Sequence, residues 1–199
     1  MSRPARSPSD RSPSRSRPRR RSSAGASWVA RVRVRLIEEG DSMDPKDLGT
    51  TAKEIIDANL YMVLGTADEK GLPWATPVYF AVSDDYREFF WVSSPEATHS
   101  RNIAARPQIG IVIFNSQVPI GTGQGVYMPA VAEEVADAGL EQALAIYSQR
   151  SLAHGGTVFT EEEVRDADPL HMYRATASGH SMLAKDGLPD HRIVVDLGG

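Results

Sequence analysis

The chain contains no cysteine. Disulfides, thiolate metal centres and cysteine nucleophiles are therefore excluded. No apolar run approaches the roughly 20 residues of a membrane-spanning helix, so a soluble, cytoplasmic protein with no membrane partner is expected. G-x-S-x-G, H-E-x-x-H and Walker loops are also missing. The five histidines, His99, His154, His171, His180 and His191, fall at no metal-ligand spacing. No metal site is expected, and no catalytic acid or base stands out.

What is present divides into two kinds of polypeptide. Residues 1–42 hold 11 Arg, no Lys and four acids, a net charge of +7. Met43–Gly199 holds 11 basic and 22 acidic residues, a net charge of -11. Met1–Ser23 carries eight Arg, eight Ser and four Pro with no large apolar residue after Met1, so it cannot offset its chain entropy and is expected to be disordered. An Arg/Ser tract suits nucleic-acid phosphates. A transit peptide would need an amphipathic helix that the prolines spoil, and a twin-arginine signal at Arg19-Arg20 would need an apolar stretch that Arg31, Arg33 and Arg35 interrupt. A different reading is that this stretch is not translated. Glu38-Glu39-Gly40 back-translates to a purine-rich, ribosome-binding-like sequence two codons before Met43, which makes Met43 the expected start.

With 41% apolar residues in 199, the chain can bury one core. Thr50–Asn59 has helical spacing at Ala52, Ile55 and Ile56. Leu60–Ala67 is an apolar strand, Asp68–Gly71 a turn, and Trp74–Ser83 a strand with Thr76, Val78, Phe80 and Val82 on one face. Glu88–Ser93 follows as a third strand. Ser94 is a good N-cap, Pro95 suits the first helical position, and Pro107 stops the helix. Gln108–Asn115 and Gln124–Val135 read as strands, Gly139–Gln149 as a helix, and Glu161–Arg165 as a helical turn. Leu170–Leu183 and Arg192–Leu197 read as the last strands. Short connections between the early strands point to antiparallel pairing. The expected fold is mainly β, an antiparallel barrel with flanking helices.

The segment Trp91–Pro107 concentrates the chemistry. Hydroxyls and free amides at a helix start favour anions, and His99, Arg101 and Arg106 place three basic groups within eight residues of an acidic domain. The alternative is an ordinary helix with solvated charges. Gly121–Gly125 leads into a strand and reads as a hairpin loop rather than a nucleotide loop. Phe89, Phe90, Trp91, Tyr127 and Met128 read as core or dimer contacts, and His154 and His171 as ordinary histidines.

The motif order Gly71-Leu-Pro-Trp-Ala-Thr-Pro-Val-Tyr-Phe80, Phe90-Trp-Val-Ser-Ser94, His99-Ser-Arg-Asn-Ile103 with Arg106-Pro107, Gln124-Gly-Val-Tyr127 and Met172–Thr176 with His180 resembles the pyridoxamine 5′-phosphate oxidase-like, FMN-binding split-barrel family. The resemblance runs from about Thr50 to Leu197. It implies an antiparallel split barrel and an FMN-dependent oxidoreductase acting on a small molecule. An F420-dependent reductase and a non-catalytic flavin or haem binder are the alternatives. It further implies that Ala75, Thr76, Pro77 and Val78 run beside the flavin ring and that Ser93 and Ser94 bond the ring or ribityl chain. His99, Arg101 and Asn102 lie at the phosphate end, and Gln124 approaches the cofactor. A homodimer is implied, with residues near His180 and Arg192 reaching the partner's site. Three departures matter. His99 stands where relatives usually have Lys, Ser181 stands where many have an aromatic residue, and the lysine expected near Phe80 is missing. Vitamin B6 oxidation is therefore not expected.

Overall fold

The computed structural model describes residues 45–164 and 169–198. The reading of residues 1–42 as a disordered or untranslated tail, and of Met43 as the start, lies outside the described residues.

Helix α1 (Pro45–Ala58) presents Leu48, Ala52 and Ile56 at four-residue intervals, all buried against the sheet. Gly49, on the same helix, lies so close to the Asp196 carbonyl that a Cβ would come within 2.6 Å of the oxygen, so only glycine permits this approach. Strand β1 (Tyr61–Ala67) and β2 (Pro73–Tyr79) pair antiparallel across the turn the sequence predicted. Gly71 takes a φ of 85°, and Asp68 Oδ1 accepts the Lys70 and Leu72 amides at 2.9 and 2.8 Å.

The strand expected over Trp74–Ser83 is two strands. At Phe80 the chain leaves β1 and begins β3 (Ala81–Val82), which pairs with β4 (Glu88–Ser93). This change of partner closes the barrel. The order β2-β1-β5-β6-β7-β4-β3 has one bent strand at both of its ends. Here β5 is Gln108–Phe114, β6 is Gly125–Glu134 and β7 is His171–Ala177. The strand expected over Leu170–Leu183 likewise breaks at Ser178-Gly179. Its second half, β8 (His180–Leu183), pairs with β6 and with β9 (Arg192–Val195). All these pairings are antiparallel.

Helix α2 spans Thr98–Ala105, not Ser94–Arg106. Ser94 does not cap it. The Ser94 carbonyl instead accepts the Ala97 amide at 3.0 Å and its hydroxyl accepts the Glu96 amide at 3.2 Å. Ser94–Ala97 is thus a self-contained turn, the local alternative to a helix that serine hydroxyls favour. Pro107 does end the helix. Helix α3 (Asp137–Ala153) lays Leu140, Ala143, Leu144 and Tyr147 on Ala81, Phe90 and Met172, outside the barrel. A short 3-10 turn follows at Glu162–Val164.

Inward-facing Met62, Leu64, Phe80, Phe89, Trp91, Ile111, Val126, Met128 and Ala175 fill the barrel. Phe89, Phe90, Trp91 and Met128 are core residues as read, whereas Tyr127 is half-buried. The result is a mainly antiparallel split barrel with three α-helices among the described residues.

Candidate functional site

Strand alternation decides where the candidates point. Opposite residues of an antiparallel pair share a face. Thr76 lies opposite Leu64, and Val78 opposite Met62, so both face the barrel interior. Ser93 continues the inward row of Phe89 and Trp91 on β4. Helix α2 covers this end of the barrel and packs on β1 and β2. Its buried face carries His99 and Asn102.

These side chains form a polar rim. Ser93 Oγ and His99 Nε2 are 2.9 Å apart. Asn102 Nδ2 donates to Thr66 Oγ1 at 3.0 Å, and Thr66 Oγ1 donates to the Trp74 carbonyl at 3.3 Å. Thr66 went unnoticed in the sequence, and its one signal was a hydroxyl in an otherwise apolar inward row. Burial pushes the His99 imidazole below its ordinary value, so it is neutral at pH 7. Thr76 Oγ1 is buried and has no hydrogen-bond partner among the described residues. Among the described residues no side chain caps the N-terminus of α2.

Arg101 lies elsewhere. Two residues from His99 on a helix, it faces the opposite way, is exposed, and is held by Glu96. One Nη donates to the Glu96 carbonyl and lies 3.6 Å from the carboxylate. Arg101 and Ser100 line a cleft of about 360 Å³ with Tyr173, Glu133 and Glu134. Arg106 donates to the Glu69 carbonyl at 3.1 Å.

Ala75 and Pro77 point outward. Ala75 lies in a row of small residues, Ala75, Gly65, Gly110 and Pro129, crossing β2, β1, β5 and β6. Around this row the outer face is apolar and open, with Tyr61 60%, Phe114 49% and Val131 52% exposed. Gln124 precedes β6 beside this face, in a recess of about 310 Å³ with Val112, Phe114, Tyr127 and Leu183. Its Nε2 donates to the Leu183 carbonyl at 3.4 Å, and its Oε1 is buried with no partner among the described residues. Arg192 stacks over the Tyr127 ring at 4.3 Å. Three strand spacings and five residues separate Gln124 from Ala75, on the order of 20 Å.

The structure therefore brings Thr76, Val78, Ser93, His99 and Asn102 together and sets Ala75 and Pro77 behind them. Ser94 and Arg101 lie apart, and Gln124 sits at the far side of the outer face. Among the described residues no His, Asp and Glu side chains group as a metal site. No helix among them is long and apolar enough to cross a membrane.

Residues 48–181 match the sequence family described as pyridoxamine 5′-phosphate oxidase. In fold the chain resembles a haem-binding protein from Mycobacterium smegmatis, with a TM-score of 0.58 and 17% identity over 78% of this chain and 60% of that one. It also resembles HutZ, the haem storage protein from Vibrio cholerae (TM-score 0.52, 20% identity, 68% and 92% covered). An FAD-binding protein from Mesorhizobium loti is similar at a TM-score of 0.51 and 19% identity, with 67% and 91% covered. These structural likenesses are of fold. No curated protein matches the chain in sequence.

Proposed function

This chain belongs to the pyridoxamine 5′-phosphate oxidase family, and from that membership we propose that it is an FMN-dependent oxidoreductase acting on a small molecule. The observation that carries this reading is that two of the seven buried side-chain atoms without a partner among the described residues, Thr76 Oγ1 and Gln124 Oε1, belong to residues that the family resemblance sets beside the cofactor. A hydroxyl at the α2 end suits a phosphate or ribityl oxygen, and a buried amide oxygen suits a flavin-ring N–H. The uncapped helix start adds free amides and a positive dipole end for the phosphate.

One chain leaves these two atoms far apart, so we place the flavin between two copies joined at the apolar outer face. Gln124 of the partner subunit would then meet the Ala75–Val78 strand. Bound there, FMN supplies the hydride chemistry. The chain's own residues bind it, orient it and exclude water. His99 fixes Ser93, and Asn102 fixes Thr66 beneath the helix. Because His99 is neutral, the phosphate end relies on hydrogen bonds more than on charge. A cytoplasmic setting goes with this reading.

Titration of the full chain with FMN, riboflavin and F420, followed by visible absorption, tests it. FMN should bind, and Thr76→Val should weaken FMN about tenfold while leaving riboflavin nearly unchanged, about 1.4 kcal/mol for a hydrogen bond to an anion. Arg101→Ala should change neither affinity more than about twofold, an exposed pair already spent on Glu96. Binding of F420 in place of FMN would reassign the cofactor, and binding of neither would defeat the flavin reading.

A second reading, carriage of haem without catalysis, is favoured by two structural neighbours whose names specify haem.

A further inference from the structure

Helix α2 has a second polar side. At about 3.6 residues per turn, His99 and Asn102 face the barrel end, while Ser100, Arg101 and Ala104 turn toward β6 and β7. The cleft that these three line holds about 360 Å³, at the small end of the range for small-molecule sites, roughly 300–1,000 Å³. Pro95, Ile103 and Pro107 give it apolar walls.

The floor is polar and buried. Ser100 and Tyr173 line it, and each is 3% exposed. Tyr173 pairs with Trp91 across β4 and β7 and stacks on its ring at 5.6 Å, which fixes where the phenol points. Burial raises the Tyr173 pKa, the Ser100 hydroxyl beside it lowers it by less, and the Glu134 charge raises it. The phenol is therefore protonated at neutral pH and can donate. Ser100 Oγ forms no hydrogen bond of ordinary geometry with any described residue. Rotating the two hydroxyls toward each other does not satisfy both. They bring two O–H donors, and a bond between them uses one. The other O–H still faces the cleft and calls for an acceptor, since a buried donor left unmatched is costly.

The rim is charged but already engaged. Arg101 is held by Glu96, Glu133 accepts from Arg174 at 2.5 Å, and Glu134 bonds His171 at 2.7 Å. Two rim carboxylates on a body of net charge -11 oppose a further anion. An ammonium carries donors only, so it cannot satisfy the floor. What remains is a neutral molecule with an oxygen acceptor, small enough for one ring.

We propose that this cleft is a second small-molecule site, separate from the flavin site, for a neutral single-ring compound bearing a carbonyl. The carbonyl oxygen accepts from the Ser100–Tyr173 pair, and the ring lies against Pro95, Ile103 and Pro107. Helix α2 stands between this ligand and the rim of Thr76, Ser93, His99 and Asn102, so the proposal does not depend on which cofactor that rim holds.

The test is titration of the full chain with three one-ring probes of similar size, benzamide, benzoate and benzylammonium, followed by calorimetry and saturation-transfer NMR. Benzamide should bind wild type saturably and at least tenfold more tightly than either ion. Ser100→Ala should weaken benzamide about tenfold, or about 1.4 kcal/mol, as loss of one hydrogen bond does. Ala104 is exposed at the cleft. Ala104→Phe should therefore obstruct it and weaken benzamide at least tenfold while the circular dichroism spectrum and Tm stay those of wild type. Arg101→Ala should change benzamide affinity by no more than about twofold. Benzamide that does not saturate wild type, or that binds Ala104→Phe as it binds wild type, would overturn the site. Tighter binding of either ion than of benzamide would overturn the carbonyl assignment, as would folded Ser100→Ala with wild-type affinity. Should Ser100→Ala not fold, the ranking of the three probes and Ala104→Phe decide.

Discussion

His99 and His180 are both buried, and burial is the main cause that lowers both imidazole pKa values. For His180 the nearby Arg87 lowers it further, while the bond to the Tyr86 carbonyl and the Asp85 charge act the other way. Below the ordinary imidazole value, about 6.5, the unfolded chain takes up protons at these positions that the folded chain resists. Stability then rises with pH. The contribution is complete above about pH 6.5 and is lost as pH falls through the lowered folded values. The midpoint of urea unfolding should accordingly fall between pH 7.5 and pH 5.5, and His99→Gln and His180→Gln should each reduce that slope. An unchanged slope in both variants would place the acid sensitivity in other groups. At this scale the sequence was partly legible. Ser93 and His99 stood out as hydroxyl and imidazole around a helix start, and they do meet. The turn at Ser94–Ala97 was not legible, because Ser-Pro begins turns as readily as helices, and only the contacts of Thr98–Ala105 with the barrel decide. That delayed start leaves Arg101 beside Glu96 rather than beside the rim.

Elements are tied together by side chains that the sequence does not flag. Arg150, near the end of α3, donates to the carbonyls of Ile56, Asp57 and Asn59 at 3.3, 3.2 and 2.9 Å. Those carbonyls lie at and just beyond the C-terminus of α1, where acceptors have no helical partner. The same guanidinium lies 4.9 Å from the Phe80 ring centre, at the point where the bent strand changes partner. Arg150 thus joins α1, α3 and the barrel's closure. Hydrogen bonds to a charged group contribute about 1.5–3 kcal/mol, and the side chain is part exposed, so Arg150→Ala should cost about 2 kcal/mol. For a domain of this size that is a fall in Tm of roughly 4–8 °C. Arg150→Lys should recover only part of it, since an ammonium cannot reach three carbonyls and stack at once. A thermal scan in which Arg150→Ala melts with wild type would show that packing alone holds α1. Apolar runs revealed β1 and β5 in the sequence, and alternation revealed the Trp74–Ser83 stretch that holds β2 and β3, because each stretch keeps one inward face along its length. The breaks at Phe80 and at Ser178-Gly179 were hidden for the same reason. The apolar pattern runs through them, and what changes is the partner strand, which no local pattern records.

For the whole molecule, the outer face of β2, β1, β5 and β6 is the feature that a monomer does not explain. Tyr61, Phe114 and Val131 remain about half exposed or more, around a row in which Gly65 and Gly110 lie directly opposite each other. Soluble monomers seldom leave an apolar patch of this kind open, and a second copy of the same face is the simplest cover in a two-fold dimer. In the proposed dimer the body's net charge of -11 would oppose association at long range, so the contact would rest on shape and apolar burial. Small residues suit that, because they let two sheets, or a sheet and a flat ring, approach closely. Gly65→Arg places a long cation in the middle of the row, pointing away from the packed interior, its Cβ 3.4 Å from the Gly110 carbonyl oxygen. Light scattering should report a dimer for the full chain and a monomer for Gly65→Arg, with the same circular dichroism spectrum. If the flavin lies between subunits, the monomeric variant should also lose FMN binding by about a hundredfold or more, although it keeps Thr76, Ser93, His99 and Asn102 intact. A wild-type monomer that still binds FMN tightly would place the whole cofactor site within one chain, and Gln124 would then need a different partner for its buried oxygen.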